Sequence, residues 1–450
     1  MTKTQIYKFG GASVKDASAV QNLADILRNR LRNNFVIVVS AMGKTTNQLE
    51  NILTLKLENL DYSKNSSILK SYHLDICSEL FPDGHVIFPK IENYFILLHH
   101  ELNKPISKDN YDEYYDRVIG FGELLSSRIV MEYLCSQNLL ILWQDARELI
   151  RTDSDFRFAK VDWEKTRWNC QTQLKPKLEQ FPVLTQGFIG ADSAGRPTTL
   201  GREGSDFTAA ILAASLDAGS VTIWKDVPGV LNADPKFFED TKLFAELDYQ
   251  QAAQMTYYGA SVIHPKTIKP LANAGVPLFV KSFLNPDSDG TKIHKSAVQI
   301  NIPTVVLKQN QILVSFKVTD FHFIEEDQIH EVYEQLKALK LRVNMLQVSA
   351  ISISIVIDAQ LFKLEKLLHN LQASFEIRYN EGLELLTILH ADPVQTQSYL
   401  RGYDVLLNQS TRNTFMFKIF REGNMLNILN RNIHIVASRH CFCCEVSLIR

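Results

Sequence analysis

Residues 35–40 read FVIVVS, with no polar side chain until the last position. A half-buried strand alternates apolar and polar residues, so an unbroken run of this length suits a strand buried on both faces. Such strands belong to parallel sheets covered by helices on either side. The neighbouring text supplies those partners. TQIYKF at 4–9 reads as a strand and DASAVQNLADILRNRLR at 16–32 as a helix. Asp16 is placed to cap that helix, and Val20, Leu23, Leu27 and Leu31 share one apolar face with Ile26 at its edge. Strand, helix, strand predicts a three-layer α/β domain with a mostly parallel central sheet.

The pattern continues for nearly three hundred residues. Helices are predicted over 45–60, 64–80 and 110–136, the last interrupted by Gly120 and Gly122. Buried strands are predicted at 139–146, 182–190 and 276–283, with a helix near 248–258. The turn-rich PDSDGTKI at 286–293 marks a boundary. Beyond it short strands alternate with helices: 312–318, 327–339, 341–346, 351–358, 361–372 and 375–380. That order is β-α-β-β-α-β, a ferredoxin-like unit. A weaker second copy follows in 382–390, 415–420, a helix at 422–430, 433–438 and 443–449. The predicted domains are therefore 1–295 and a tail of two small units, 296–450.

Bulk properties exclude several classes. The formal charge is −2 with no long basic run, which gives nucleic-acid binding no electrostatic support. No apolar stretch approaches the ~20 residues that span a bilayer, and the first residues lack a signal-peptide pattern. A cytoplasmic protein without membrane or nucleic-acid partners is expected. Six cysteines should then be reduced. Cys441, Cys443 and Cys444 cluster in CFCCE but lack a second ligand pair at zinc spacing, so buried strand thiols are expected there and no metal site.

Five stretches carry residues suited to chemistry. Lys8, Gly10 and Gly11 end the first strand; bare glycine amides can approach an anion and the lysine adds charge, although a plain turn explains the glycines equally. SAMGKTTN at 40–47 follows the buried strand, where open α/β sheets bind ligands. Ser40, Thr46 and Asn47 are hydrogen-bond candidates there, or Thr46 and Asn47 merely cap a helix. The GKT is no P-loop, because position 38 is Val where the motif needs glycine. Glu123 in GFGELLS either points to water or pairs a substrate ammonium, with Gly120 and Gly122 thinning the helix so that a ligand can come close.

LGREGSD at 200–206 is the most specific stretch. Ser205 or Asp206 caps the following helix, Arg202 can grip a carboxylate with two parallel bonds, and Asp206 can instead hold Lys8. In WKDVPGVLNADPK, residues 224–236, Asp226, Asp234 and Lys236 occupy a loop over which a nucleotide can lie, or which is simply solvated.

Taken together, YKFGGASV, VVSAMGKTTN, FGELLS, TQGFIG, TTLGREGSD, WKDVPGV-x-x-ADPK and GASVIHPKTI resemble the aspartate kinases of the amino acid kinase superfamily, in order and spacing, over residues 1–293. The tail resembles that family's tandem ACT domains. The resemblance implies a first unit over 311–380 and a second made of 302–310 plus 381–450, one inserted within the other. It implies transfer of the ATP γ-phosphoryl group to L-aspartate, giving 4-phospho-L-aspartate, with Mg2+, at the head of lysine, threonine and methionine biosynthesis. It implies a homodimer formed through the ACT units. It assigns Lys8, Gly10 and Gly11 to the moving phosphate, and Ser40, Thr46, Glu123, Phe188, Arg202 and Ser205 to aspartate. Asp206 orients Lys8, while Lys225, Asp226, Leu231 and Lys236 line the nucleotide.

The chain departs from the family at several points. Ala12 follows the paired glycines where threonine is usual, Ser261 replaces a nucleotide-binding lysine, and Leu231 stands where an aromatic is common. Lys225 or Lys266 is expected to compensate for Ser261. LRVNMLQVSAIS, at 341–352, carries no acid to pair an effector ammonium, so lysine inhibition is expected to be weak or absent. A fused dehydrogenase is not expected. Rival readings are a related kinase acting on glutamate, N-acetylglutamate, carbamate or UMP, and a catalytically impaired ACT-based amino-acid sensor.

Overall fold

β1 (Gln5–Phe9) lies between β2 (Phe35–Val39) and β7 (Ser220–Lys225), parallel to both, with Lys8 opposite Val38 and Ile223. Around this centre the sheet extends in the order β3-β4-β2-β1-β7-β9-β10-β8. Its other strands are β3 (Leu142–Gln144), β4 (Val183–Gln186), β8 (Glu246–Asp248), β9 (Leu278–Ser282) and β10 (Thr291–His294). Only β9 and β10 pair antiparallel in it. A separate hairpin joins β5 (Ile189–Ala191) and β6 (Pro197–Thr199). The expected mixed α/β architecture with a mostly parallel sheet is what the computed structural model shows. It describes residues 3–260, 262–296, 302–319, 322–411, 413–421 and 434–436.

The FVIVV run is buried at every position, as expected of a central parallel strand. Phe35, Ile37 and Val39 join a core with side chains of α1 (Ala17–Arg28), α2 (Thr45–Leu57), α3 (Ser63–Leu80), α4 (Ile87–Leu102) and α6 (Phe121–Ser136). Val36 and Val38 alternate to the opposite face, on which α10 (Gly204–Leu216) packs. Asp16 does cap α1, accepting the Ala19 amide at 2.8 Å. The helical region over 110–136 is two helices, α5 (Tyr111–Ile119) and α6, meeting at Gly120. The strand expected over 139–146 contracts to Leu142–Gln144, because Asp145 caps a short α7 (Ala146–Leu149) through the Arg147 amide. The remaining helices here are α8 (Trp163–Asn169), α9 (Lys175–Leu178), α11 (Tyr249–Tyr258) and α12 (Pro265–Ala274).

The chain forms two compact units. One holds the residues up to Leu231, Lys242–Tyr257 and the described part of 261–298. The other holds Asn232–Thr241, Tyr258–Ala260 and the described residues beyond 299. The second unit is an antiparallel sheet in the order β12-β13-β11-β14-β16-β15, with β17 (His434–Val436) also on β14. Its elements run β11 (Thr304–Val318), α13 (Glu326–Ala338), β12 (Val343–Val348), β13 (Ser352–Asp358), α14 (Leu361–Leu371) and β14 (Phe375–Leu389), the βαββαβ order read from the sequence. Then come α15 (Pro393–Ser398), β15 (Tyr403–Ser410) and β16 (Thr414–Arg421).

Two features there were not legible beforehand. The strand expected at 312–318 runs on from the 302–310 stretch assigned to the second unit as one long β11, and those at 375–380 and 382–390 are one long β14. They pair along their whole length, with the register shifts between Lys308 and Leu313 absorbing the break in periodicity. β15 was missed because its register slips between Val405 and Leu407, spoiling strict alternation. The expected helix at 422–430, the strand at 443–449 and Cys441, Cys443 and Cys444 lie outside the described residues. Cys77 and Cys170 are buried and Cys135 is exposed.

Candidate active site

The carboxyl ends of β1, β2, β4 and β7 point the same way because the strands are parallel. The loops that follow them therefore converge. After β1, Gly10 is extended and Gly11–Val14 forms a single 3-10 turn. A Cβ on Gly11 would stand 2.9 Å from the Ala41 carbonyl oxygen and 3.0 Å from that of Gly43. Gly11 is thus required by the close approach of the loop after β2, whose Gly43 amide donates to the Gly11 carbonyl at 3.1 Å. At Gly10 the open side faces the Lys8 ammonium, 3.4 Å from where a Cβ would be.

After β2, the structure corrects one reading of SAMGKTTN. α2 begins at Thr45 with Lys44 at its cap position and no side-chain cap bond. Thr46 and Asn47 are therefore not caps, and both line a cavity of about 610 Å³ together with Lys8, Gly11 and Ser40. Thr45 instead turns inward, 3.4 Å from Nε2 of buried His73, whose Nδ1 lies 2.8 Å from the Leu69 carbonyl.

Glu123 reaches the same cavity from α6. It is only 3% exposed, and Oε2 has no hydrogen-bond partner among the described residues. Burial pushes its carboxyl up to about 8, against the opposing pull of backbone amides at Glu123 and Ala41 and of the Lys8 charge. The glycines beside it act differently from expectation. A Cβ on Gly122 would stand 3.0 Å from Ala41 Cβ and 3.1 Å from Thr45 Cγ2, and one on Gly120 would meet Ile189 at 3.3 Å. They thin the helix to admit protein rather than ligand.

The loop at 200–206 interlocks with the one after β4. A Cβ on Gly187 would lie 2.4 Å from Ser205 Cβ, and one on Gly204 would lie 2.5 Å from the Phe188 ring. Phe188 adopts a left-handed φ of 69° and its amide donates to Thr208 Oγ1 at 2.9 Å. This packing starts α10 at Gly204, with left-handed Glu203 at the cap position and no side-chain cap. Ser205 and Asp206 are thus in the first helical turn, not at the cap. Ser205, Phe188 and Arg202 line the cavity, and Arg202 is exposed, with no ion pair among the described residues.

Asp206 is fully buried. Its Oδ1 is 2.6 Å from Lys8 Nζ and its Oδ2 is 3.3 Å from Lys225 Nζ. Burial pushes this carboxyl up, but the two lysines more than offset that and hold it below the usual range. Lys225 is likewise held high: burial pulls it down, while Asp206 and Glu203, at 3.8 Å, raise it. Asp226 is exposed and Leu231 half-buried on the loop after β7, and neither lines the cavity. Lys236 is exposed in the second unit, and its amide donates to Asp234 Oδ1 at 2.9 Å. Ser261 lies outside the described residues. Lys266 is exposed, with its ammonium pulled down by partial desolvation, and its Nζ would stand 3.6 Å from a Cβ on Gly201.

Sequence reasoning missed Tyr115, Arg157, Phe158 and Thr199, which also line the cavity. Behind them Asp116, fully buried, accepts the amides of Arg157 and Thr199 and the Thr199 hydroxyl, at 2.9, 2.8 and 2.6 Å. Burial pushes its carboxyl up to about 6 despite those bonds. The available signal was an acid on the apolar face of α5.

The model of the amino acid kinase family matches residues 3–282. The lysine-sensitive aspartokinase 3 of Escherichia coli K12 is 31% identical over 401 residues, 87% of this chain and 88% of that protein. The chain belongs to the aspartokinase branch of the amino acid kinase family. Its fold agrees with solved aspartokinases. The crystal structure of E. coli aspartokinase III in complex with aspartate and ADP, described as the R-state, matches with a TM-score of 0.80 at 27% identity, over 94% of this chain and 97% of its own. The same E. coli aspartokinase in complex with lysine and aspartate, described as the T-state, matches with 0.76, over 94% and 96%. Among the described residues of this aspartokinase no helix is long and apolar enough to cross a membrane.

Proposed function

We propose that this chain transfers the γ-phosphoryl group of ATP to the side-chain carboxylate of L-aspartate, giving 4-phospho-L-aspartate and ADP, a step of amino-acid biosynthesis. The observation that carries this reading is that one cavity holds a buried carboxyl group and a guanidinium, neither in an ion pair among the described residues. Glu123 suits the substrate ammonium and Arg202 its α-carboxylate. Ser40, Thr46, Phe188 and Ser205 complete the amino-acid end. The second substrate carboxylate is left free to attack.

That carboxylate is ionised at neutral pH, so the reaction needs no general base. What phosphoryl transfer requires is alignment and compensation of charge. Lys8 supplies a compact positive charge beside the bare backbone of Gly10 and Gly11, and Asp206 fixes where that ammonium sits. Lys225, Asp226 and Leu231 are our candidates for the nucleotide side. Mg2+ fits as an ion carried on the nucleotide phosphates, the way it is commonly bound. Among the described residues no group of three carboxylate, imidazole or thiol ligands forms a cage of its own. We place the enzyme in the cytoplasm as a homodimer formed through the second unit, whose β12 and β15 edges pair with no further strand among the described residues; sedimentation would show a monomer if this is wrong.

The test is direct. Incubation with MgATP, aspartate and hydroxylamine should yield aspartyl hydroxamate. Hydroxamate from glutamate alone points to a related kinase, and no product from either points to an amino-acid sensor.

A further inference from the structure

Arg157 is a cation of this cavity that the reaction leaves without a task. Its backbone has a left-handed φ of 68°, a conformation that favours glycine. A side chain persists in such a conformation where its surroundings over-determine it, and such positions cluster at functional sites. The surroundings here are explicit. The Arg157 amide is clamped by buried Asp116 at 2.9 Å. Its guanidinium lies 4.3 Å over the Tyr115 ring and 5.7 Å from that of Tyr111. It reaches Asp112 at 3.3 Å on α5 and Glu50 at 3.9 Å on α2. Glu50 is one turn beyond Thr46 and Asn47, the two α2 residues that line the cavity.

One side chain thus ties the start of α2 to α5 while itself lining the cavity. We propose that Arg157 is a specificity-determining latch: by holding α2 against α5 it fixes the width of the amino-acid end, which then accepts aspartate and rejects the longer glutamate. The proposal rests on reading this cavity as the aspartate site. The two amino acids differ by one methylene, which a fixed wall can discriminate by about 10- to 200-fold. If the wall yields, the discrimination falls and the shorter substrate loses its contacts.

Arg157→Gly tests this without unfolding the protein, because glycine adopts the left-handed conformation freely. The expected result is an unchanged or raised Tm and an aspartate KM raised about tenfold, with kcat changed far less. The aspartate-to-glutamate ratio of kcat/KM should fall about tenfold. Arg157→Lys should restore part of both, since it keeps the ion pairs with Asp112 and Glu50 but loses the planar face over Tyr115. An R157G enzyme with wild-type aspartate KM and wild-type discrimination overturns the latch. So does one that loses Tm and kcat together while KM and discrimination stay fixed, since that marks a structural role. Wild-type enzyme that makes no aspartyl hydroxamate refutes the aspartate site instead, and the two failures are separable in one experiment.

Discussion

Lys8 and Asp206 meet at 2.6 Å, and the other oxygen of the same carboxylate faces Lys225 at 3.3 Å. One buried acid from the start of α10 thus joins the ends of two neighbouring parallel strands. Lys8→Ala leaves Asp206 its partner Lys225, so the fold should hold while kcat falls about 100-fold or more, as loss of a preorganised charge does. Asp206→Ala leaves the buried Lys8 ammonium without its ion-pair partner and half-buried Lys225 with only Glu203, at 3.8 Å. It should cost about 3 kcal/mol or more, visible as a drop in Tm on the order of 10 °C, besides lost activity. Thermal melts alongside hydroxamate assays separate the two.

Glu123 makes aspartate binding depend on pH. With its carboxyl raised to about 8, the empty site is protonated at neutral pH and must lose that proton to pair an ammonium. The aspartate KM should therefore fall as pH rises from 6 to 8 and level off above, at roughly tenfold per unit on the steep part. A flat KM across that range would contradict the assignment of Glu123 to the ammonium.

The same residue should trade stability against function. Folding raises its carboxyl from 4.5 to about 8, so the folded state binds more protons between those values and loses stability as pH rises through them. Glu123→Gln removes that liability. Without aspartate, E123Q should melt higher than wild type at pH 9, with the difference shrinking toward pH 5, and it should have little activity. Equal melting at both pH values would count against it.

Gly187→Ala puts a Cβ 2.4 Å from Ser205 Cβ, a contact that forces α10 to shift. Because Ser205 and Asp206 ride on that helix, activity should fall further than stability does. Gly195→Ala, with nothing within 4 Å of its Cβ but a φ of 77°, is the control for backbone strain alone.

Lysine in the submillimolar range should leave the rate unchanged. Residues 341–352 offer no carboxylate to an effector ammonium, and a buried ammonium without a partner is strongly disfavoured. Inhibition by submillimolar lysine in the hydroxamate assay would overturn this.

The parallel sheet was legible because burial on both faces leaves a mark in every residue of FVIVV. The glycine pair after β1 was legible as a place of special backbone, but that Gly11 admits the Ala41 and Gly43 carbonyls and Gly187 admits Ser205 was not, because those neighbours come from remote segments. Arg157 and Asp116 were not, because an arginine in a polar loop and an acid in a helix are ordinary until another element folds against them. The β15 strand hid behind a register slip, and the capping reading of Ser205 failed because Phe188, remote in sequence, decides where α10 begins.

The sequence by itself determined the order of strands and helices, and which peptides stand at strand ends with charge and bare backbone. Those are local properties, written in periodicities of two and 3.6 residues and in residues with special backbone freedom. Only the tertiary structure decided that Glu123 is buried with its Oε2 unpartnered among the described residues, that Asp206 bridges two lysines, and that Arg157 spans two helices. Each of those depends on how much water remains around a charge and which charges stand near it, and both are set by chain segments far apart in sequence.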